Sequence, residues 1–138
     1  MKIYTSYYGN RSLDAKKHFL VQVSNSAPAN ITTQARFQEV VPDWKRLVKP
    51  YKEGLIDKTS YTRRYMDALD KTAFGIILRL EDIIEKAGGK DIVLLCYEKP
   101  SSFCHRHLLA KWLEDNARRI PYEIGEIREL GMNQLNLF

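Results

Sequence analysis

The residues best suited to chemistry lie close together in one segment of the chain, from Asp91 to His107. This segment reads DIVLLCYEKPSSFCHRH and holds both cysteines and two of the three histidines. A nucleophilic cysteine needs a neighbouring base, and an imidazole from the same segment could pair with either thiol. A glutamate can orient the imidazole or carry protons, and an arginine offers a planar fork for two oxyanion oxygens. The candidate catalytic residues are Cys96, Glu98, Cys104, His105 and Arg106.

A strand followed by a helix would bring these side chains together. Asp91 to Tyr97 is a short apolar run rich in branched residues, which is typical of a strand buried on both faces in a parallel sheet. Ser101 or Ser102 can cap the helix that follows. The apolar positions of that helix recur at helical spacing and are Leu108, Leu109, Trp112 and Leu113.

This arrangement predicts that the candidate residues share one edge of a sheet. Cys96 and Glu98 would lie at the carboxyl end of the strand, which is the edge where open α/β sheets bind ligands. Cys104, His105 and Arg106 would fall in the first helical turn, where unpaired backbone N–H groups favour anions and thiolates.

The same cluster allows two other interpretations. Cys96 could be a small core residue and His105 a hydrogen-bonded core histidine, so that the cluster is mainly structural. A metal site is the second alternative, because Cys96, Cys104, His105 and His107 are numerous enough to bind zinc. However, adjacent Cys104 and His105 would point in different directions on a helix, and the spacing matches no standard zinc pattern. We therefore expect no metal and no other cofactor.

The run LLCYEKPSSFCHRHLLAKWL resembles the signature of a bacterial and phage family known as domain of unknown function 488 (DUF488). In that family a strand ends in Cys-x-Glu and the next helix opens with Cys-His-Arg, and the five candidate catalytic residues occupy these positions here. A weaker likeness through IYTSYYGN and WKRLVKPYKEGLIDKTSYTRRYMDAL extends the resemblance over about the first 125 residues. The resemblance implies a single three-layer α/β domain without an established activity.

One departure from the family affects the expected pocket. Many relatives end the second strand with Asp-Val-Arg, whereas this chain reads Val21-Gln22-Val23-Ser24-Asn25. If the charged pair helps to form the family's pocket, its absence implies altered or reduced chemistry. Ser24 and Asn25 can still exchange hydrogen bonds there, and with His107 they are the candidate substrate-binding residues.

The last five residues, QLNLF, resemble the Gln-Leu-x-Leu-Phe peptide with which bacterial replication and repair proteins bind the DNA polymerase sliding clamp. Leu135, Leu137 and Phe138 would fill an apolar cleft, and the Gln134 amide would set the register. Chain ends are usually mobile, so we expect an α/β domain at 1–130 and a flexible tail at 131–138. The alternative is a last apolar stretch that folds back onto the core.

The basic composition favours a protein that binds a negatively charged partner. The formal net charge is +5 and the pI is about 9.2. Basic residues cluster at Lys16-Lys17-His18, Lys45, Arg46, Lys49, Lys52, Arg63-Arg64 and Arg118-Arg119. Tyr51, Tyr61 and Tyr65 lie among them, as would suit a surface that contacts phosphates and stacks bases, although such runs are often solvated helix faces. No leader or membrane-spanning run is seen, so we expect a cytoplasmic protein with reduced thiols and no membrane partner.

The remaining pattern predicts one α/β domain in which helices cover a small, mostly parallel sheet. Strands are predicted at Lys2 to Tyr7, Phe19 to Val23 and Tyr122 to Ile127, with a short helix possible at Leu13 to Lys17. Three helices are predicted from the apolar sets Trp44, Leu47, Val48 and Tyr51; Tyr61, Tyr65 and Leu69; and Ile76, Leu80, Ile83 and Ile84. Gly88-Gly89 should end the third helix.

These observations lead to two functional hypotheses. The first is a cysteine-dependent enzyme that acts on nucleic acid or a nucleotide and is recruited to the sliding clamp by its tail. The second is a non-catalytic accessory or inhibitor protein that binds the clamp and DNA, in which the cysteine and histidine cluster is structural. The sequence lacks a Walker loop, a dinucleotide glycine fingerprint and the paired motifs of zinc deaminases.

Overall fold

A five-stranded parallel sheet lies at the centre of the protein in the computed structural model, which describes residues 1–131. The strands in this part of the chain are β1 (Ile3–Tyr7), β2 (His18–Gln22), β3 (Ala35–Arg36), β4 (Asp91–Cys96) and β5 (Arg128–Glu129). Their order is β3-β2-β4-β1-β5, and each neighbouring pair is parallel. The prediction of a single α/β domain with a small, mostly parallel sheet is confirmed.

The helices follow the predicted apolar sets, with one change of geometry. The described residues form α1 (Lys49–Lys52), α2 (Lys58–Lys71), α3 (Ala73–Ala87) and α4 (His105–Asp115). The predicted helix around Trp44 is a π-helical turn, Trp44–Val48, that runs directly into α1. Helix α3 ends as predicted at Gly88, whose φ of 58° is the left-handed conformation that favours glycine. Within residues 1–131, no helix has both the length and the apolar character needed to cross a membrane.

Side chains of β4 alternate between two apolar clusters on opposite faces of the sheet. Ile92, Leu94 and Cys96 belong to the larger cluster, which also contains the buried apolar residues of α2, α3 and α4. Val93 and Leu95 belong to the smaller cluster, which loop residues cover from the other side. Strand β4 is therefore buried on both faces as predicted, and Cys96 lies on the face that the helices cover.

Two predicted elements in the first and last parts of the chain are wrong. The last strand is β5 at Arg128–Glu129 and does not cover Tyr122 to Ile127. The earlier residues are held by other contacts, since the Ile127 N–H donates to the Glu114 carboxylate at 2.9 Å. The segment Leu13 to Lys17 forms turns instead of a helix, because the chain enters β2 at His18 before a helical turn can repeat.

The start of α4 also differs from the prediction. The N-cap residue is Cys104, in extended conformation with φ −146° and ψ 142°, and the helix begins at His105. Ser101 and Ser102 lie in the preceding turn and do not cap the helix. The two-residue strand β3 was not predicted, because a segment this short shows no period-two pattern.

Candidate functional site

A pocket of about 470 Å³ opens at the carboxyl edge of the sheet, where β4 ends and α4 begins. The segment after β2 also reaches this edge, since the parallel pairing of β2 with β4 brings Gln22 opposite Leu95. The residues that line the pocket are Ser24, Asn25, Ser26, Pro42, Trp44, Val48, Tyr51, Lys52, Tyr61, Cys96, Tyr97, Glu98, Phe103, Cys104 and His105. Ligands bind at this edge in open α/β sheets, as the sequence predicted for the cluster.

Cys96, Cys104 and His105 form the floor of the pocket. All three are buried, and one potential metal-binding atom from each lies within 4.8 Å of the other two. The sequence predicts two separate thiols, whereas the structure joins Cys96 and Cys104 as a disulfide with Cα atoms 7.7 Å apart. The pairing arises because the extended N-cap conformation turns Cys104 towards the end of β4.

The His105 imidazole is held by the backbone of the neighbouring strand segment. Its Nε2 atom lies 2.6 Å from the Val23 carbonyl oxygen, and its Nδ1 atom lies 3.8 Å from Cys104 Sγ. A carbonyl oxygen can only accept, so Nε2 carries the proton and Nδ1 keeps its lone pair. Burial lowers the pKa of His105 to about 4. The ring is therefore neutral near pH 7, and its lone pair faces the sulfur atoms.

Arg106 is fully buried and is fixed by a residue that sequence reasoning missed. Its Nε and Nη2 atoms donate to the two carboxylate oxygens of Glu129 at 2.8 and 3.1 Å. Its Nη1 atom donates to Cys96 Sγ at 2.9 Å and to the backbone carbonyl of Glu98. The Glu129 carboxylate also accepts from Thr5 Oγ1 at 2.7 Å. These contacts favour a positioning role beside Cys96 over the predicted role of a phosphate clamp.

The remaining predicted residues divide between the pocket and its surroundings. Glu98 lines the pocket, and its Oε2 atom lies 3.9 Å from Cys96 Sγ. Ser24 and Asn25 also line it, where Ser24 Oγ contacts the Tyr8 hydroxyl at 2.7 Å and the Asn25 amide donates to the Pro42 carbonyl at 3.1 Å. His107 is not among the described lining residues, and burial lowers its pKa.

Aromatic rings form one wall of the pocket, which the sequence indicated only in part. Tyr51, Tyr61 and Phe103 pack against one another with ring centroids 5.2 to 5.4 Å apart. Trp44 lies on the rim and is 46% exposed. The interpretation of Tyr65 as part of a base-stacking surface is wrong, because Tyr65 is buried and its hydroxyl donates to the Val40 carbonyl at 2.6 Å.

Exposed basic side chains lie beside this aromatic wall. Lys52 lines the pocket, with its Nζ atom 6.0 Å from the Trp44 ring centroid, and the Lys58 ammonium lies 5.0 Å from the Phe103 ring centroid. Lys45, Arg46 and Lys49 are exposed on the same helical segment. The predicted clamp-binding residues Gln134, Leu135, Leu137 and Phe138 lie outside the described residues.

Comparison with known proteins identifies a family for this chain. A protein-family model described as the active DUF488-N3 subclade matches residues 3–117, which include the whole floor of the pocket and most of the described fold. Glu129 lies beyond the matched segment. No curated protein and no solved structure matches the chain.

Proposed function

This chain belongs to the DUF488 family, and on that premise we propose that it is a cysteine-dependent enzyme acting on a nucleotide or on a base exposed in nucleic acid. The pocket would hold the base, and the floor of Cys96, Cys104 and His105 would carry out the chemistry with Glu98. This proposal rests on one observation, that aromatic rings and sulfur, imidazole and carboxylate groups line the same pocket.

The pocket suits a planar ring that carries phosphate. Its volume of about 470 Å³ falls within the range of small-molecule sites. Exposed aromatic faces stack bases without regard to sequence, and Trp44 offers such a face at the rim. The hydroxyl and amide groups of Ser24 and Asn25 can read the polar edge of a base. Lys52, on the same rim, is placed to neutralise a phosphate.

The floor of the pocket supplies electron-rich groups with a proton carrier beside them. The Arg106 guanidinium donates to Cys96 Sγ at 2.9 Å, so it would hold this sulfur in position once the disulfide is reduced. Glu98, 3.9 Å from the same sulfur, can accept or return a proton during the reaction. His105 Nδ1 keeps its lone pair beside the sulfur atoms, because Nε2–H donates to the Val23 carbonyl and burial keeps the ring neutral near pH 7.

Nucleotide binding tests the first part of the proposal. We expect the reduced protein to bind a member of a panel of nucleoside monophosphates and short single-stranded oligonucleotides, measured by calorimetry. Trp44→Ala should weaken that binding by about 5- to 150-fold, since stacking on an aromatic side chain contributes about 1–3 kcal/mol per base. Phe74→Ala is the matched control, because Phe74 is 75% exposed on α3 and does not line the pocket. Absence of binding, or equal effects of the two variants, would overturn the proposal.

Chemical change of the bound molecule tests the second part. The nucleotide or oligonucleotide that binds should be altered on incubation with the protein, as detected by mass spectrometry of the recovered ligand. Cys96→Ser and Glu98→Gln should abolish this change, whereas Phe74→Ala should leave it intact. Binding without any chemical change would instead support the non-catalytic accessory protein.

We also propose that Gln134 to Phe138 recruit the chain to a bacterial sliding clamp in the cytoplasm. The support is the residue pattern itself, in which a leading amide precedes three apolar side chains that can fill a cleft. Calorimetry with a purified clamp should show binding by the full chain and none after removal of these five residues. Equal binding by both forms, or binding by neither, would remove the replication role and leave the pocket chemistry untouched.

A further inference from the structure

Three metal-binding side chains meet at the floor of the pocket. The Sγ atoms of Cys96 and Cys104 and one imidazole nitrogen of His105 lie within 4.8 Å of one another, and His105 Nδ1 is 3.8 Å from Cys104 Sγ. All three residues are at least nine-tenths buried, and each also lines the pocket. Two sulfurs and one imidazole nitrogen are ligands that zinc prefers.

The local backbone removes the sequence-based objection to a metal. That objection was that adjacent Cys104 and His105 would diverge on a helix. Cys104 instead adopts an extended N-cap conformation, with φ −146° and ψ 142°, and only His105 is helical. The change of conformation between the two residues lets both side chains face the end of β4.

Two separations in the site are compatible with tetrahedral zinc. The 3.8 Å between Cys104 Sγ and His105 Nδ1 is close to the roughly 3.5 Å expected for a sulfur and a nitrogen on one zinc ion. The Cα atoms of the two cysteines are 7.7 Å apart, which is wider than the 4.4–6.8 Å of most disulfides. Reduced sulfurs at this backbone spacing have room to separate to the roughly 3.8 Å that two thiolates on one zinc require.

The residues around these ligands provide the outer contacts that a metal site needs. A metal-bound histidine usually donates its other N–H to a carbonyl or carboxylate, and His105 Nε2 lies 2.6 Å from the Val23 carbonyl oxygen. Arg106 donates to Cys96 Sγ at 2.9 Å, but its charge is already balanced by Glu129. Two buried thiolates would therefore lack a full counter-charge, which a divalent cation would supply.

We propose that the reduced chain binds one zinc ion through Cys96 Sγ, Cys104 Sγ and His105 Nδ1, with the fourth position facing the pocket. This inference deepens the proposed function by naming the cofactor of the same site, and it replaces the expectation of no metal. Two molecules of a small thiol reduce the disulfide and leave joined as their own disulfide. The two freed thiols then each lose a proton as zinc binds.

An open fourth position is the pattern of catalytic rather than structural zinc. A water held there would be acidified by the metal and would face the base in the pocket. The Glu98 carboxylate, 3.9 Å from Cys96 Sγ, is placed to take the proton that this water loses. The chemistry of the pocket would then be hydrolytic.

Metal analysis of the whole chain tests the proposal. Protein purified with a thiol reductant and without chelator should contain one zinc per chain by elemental mass spectrometry. Replacement by cobalt(II) should give the visible and near-ultraviolet bands of tetrahedral thiolate coordination, a readout that needs no enzymatic activity. Protein oxidised with diamide, in which Cys96 and Cys104 are joined, should bind neither metal.

Single variants locate the ligands. Cys96→Ser, Cys104→Ser and His105→Gln should each weaken zinc binding by more than about 100-fold, because loss of even an outer contact typically weakens it by 10- to 100-fold. His107→Gln is the matched control, since His107 adjoins the site in sequence but does not line the pocket. Circular dichroism identifies any variant that fails to fold.

The outcomes separate this inference from the proposed function. The zinc site is refuted if reduced wild-type protein takes up no metal and shows no cobalt–thiolate bands, or if His107→Gln is as harmful as His105→Gln. Nucleotide binding by chelator-treated protein would leave the proposed function standing after such a result. Zinc uptake without nucleotide binding would do the reverse.

Discussion

Removal of the charge on Glu129 should destabilise the whole domain, because this carboxylate balances a fully buried arginine. The side chain of Arg106 is 0% exposed and that of Glu129 is 7% exposed, and they meet through two parallel hydrogen bonds. Glu129→Gln keeps the shape of the side chain but removes the charge and replaces one accepting oxygen with a donor. Breaking a buried ion pair in this way typically costs about 3–5 kcal/mol.

The expected shift in melting temperature follows from the size of the chain. An unfolding entropy of about 2.1 cal/mol/K per residue over 138 residues makes each kcal/mol equivalent to about 3.5 °C. Glu129→Gln should therefore lower Tm by about 10–17 °C in scanning calorimetry of the reduced protein. Urea unfolding followed by circular dichroism checks the same free energy at constant temperature.

Two further variants make this prediction refutable. Glu126→Gln is the matched control, because the Glu126 side chain is 64% exposed and its ion pair lies at the surface, where the expected cost is below about 1 kcal/mol. Combining Glu129→Gln with Arg106→Met should recover part of the loss, since no unpaired charge remains buried. Equal Tm values for Glu129→Gln and Glu126→Gln would show that β5 does not hold Arg106 as described.

Three further predictions concern a buried hydroxyl, two glycines and one histidine. Tyr65→Phe should lower the free energy of unfolding by about 1–2 kcal/mol in urea titrations, because it leaves the buried Val40 carbonyl without its 2.6 Å partner. Gly75 lies at an exposed position inside α3, and an added Cβ would meet nothing within 4 Å, so Gly75→Ala should stabilise the protein by about 0.5–1 kcal/mol. Gly88→Ala should destabilise the protein by about 1 kcal/mol, because φ at this position is 58°. Burial lowers the pKa of His105 from 6.5 to about 4. As the pH of chelator-treated protein is lowered, this imidazole is therefore protonated in the unfolded chain at a higher pH than in the folded chain. The free energy of unfolding should then be unaffected by this group above about pH 6.5 and fall by about 3 kcal/mol towards pH 4.

Controls for these three predictions come from the same chain. Tyr122→Phe removes an exposed hydroxyl contact to Glu85 and should change stability by less than about 0.5 kcal/mol. The two glycine variants control each other, and a shift of the same sign in both would contradict the assigned helix end. His105→Gln should flatten the acid dependence of stability, and a slope identical to wild type would show that another group is responsible.

The order of elements and the location of the site could be predicted because they depend on local patterns. The continuous apolar run of β4 and the helical spacing in α2 and α3 are visible within about a dozen residues. Glu98 follows β4 by only two residues, so any strand that ends at Cys96 brings the two side chains to the same edge. Boundaries were less predictable, since the N-cap at Cys104 depends on the turn before it and Ser101 would have suited the position equally well.

The contacts that define the site connect residues far apart in the chain, and no local sequence pattern predicts them. Glu129 pairs with Arg106 across 23 positions and with Thr5 across 124. Val23 holds the His105 imidazole across 82 positions. Each contact depends on which strands become neighbours in the sheet. The residues next to Glu129 in the sequence do not indicate that it has a buried partner.

The sequence by itself therefore determined the type of fold, the strand and helix that carry the reactive residues, and the family to which the chain belongs. Only the tertiary structure decided that Arg106 forms an ion pair with Glu129 and that aromatic rings line one side of the pocket. It also decided that the His105 imidazole is neutral and that its lone pair faces the two sulfur atoms. The physical reason is that hydrophobic periodicity is encoded over neighbouring residues, whereas burial and charge pairing are set by strand order and packing across the whole domain.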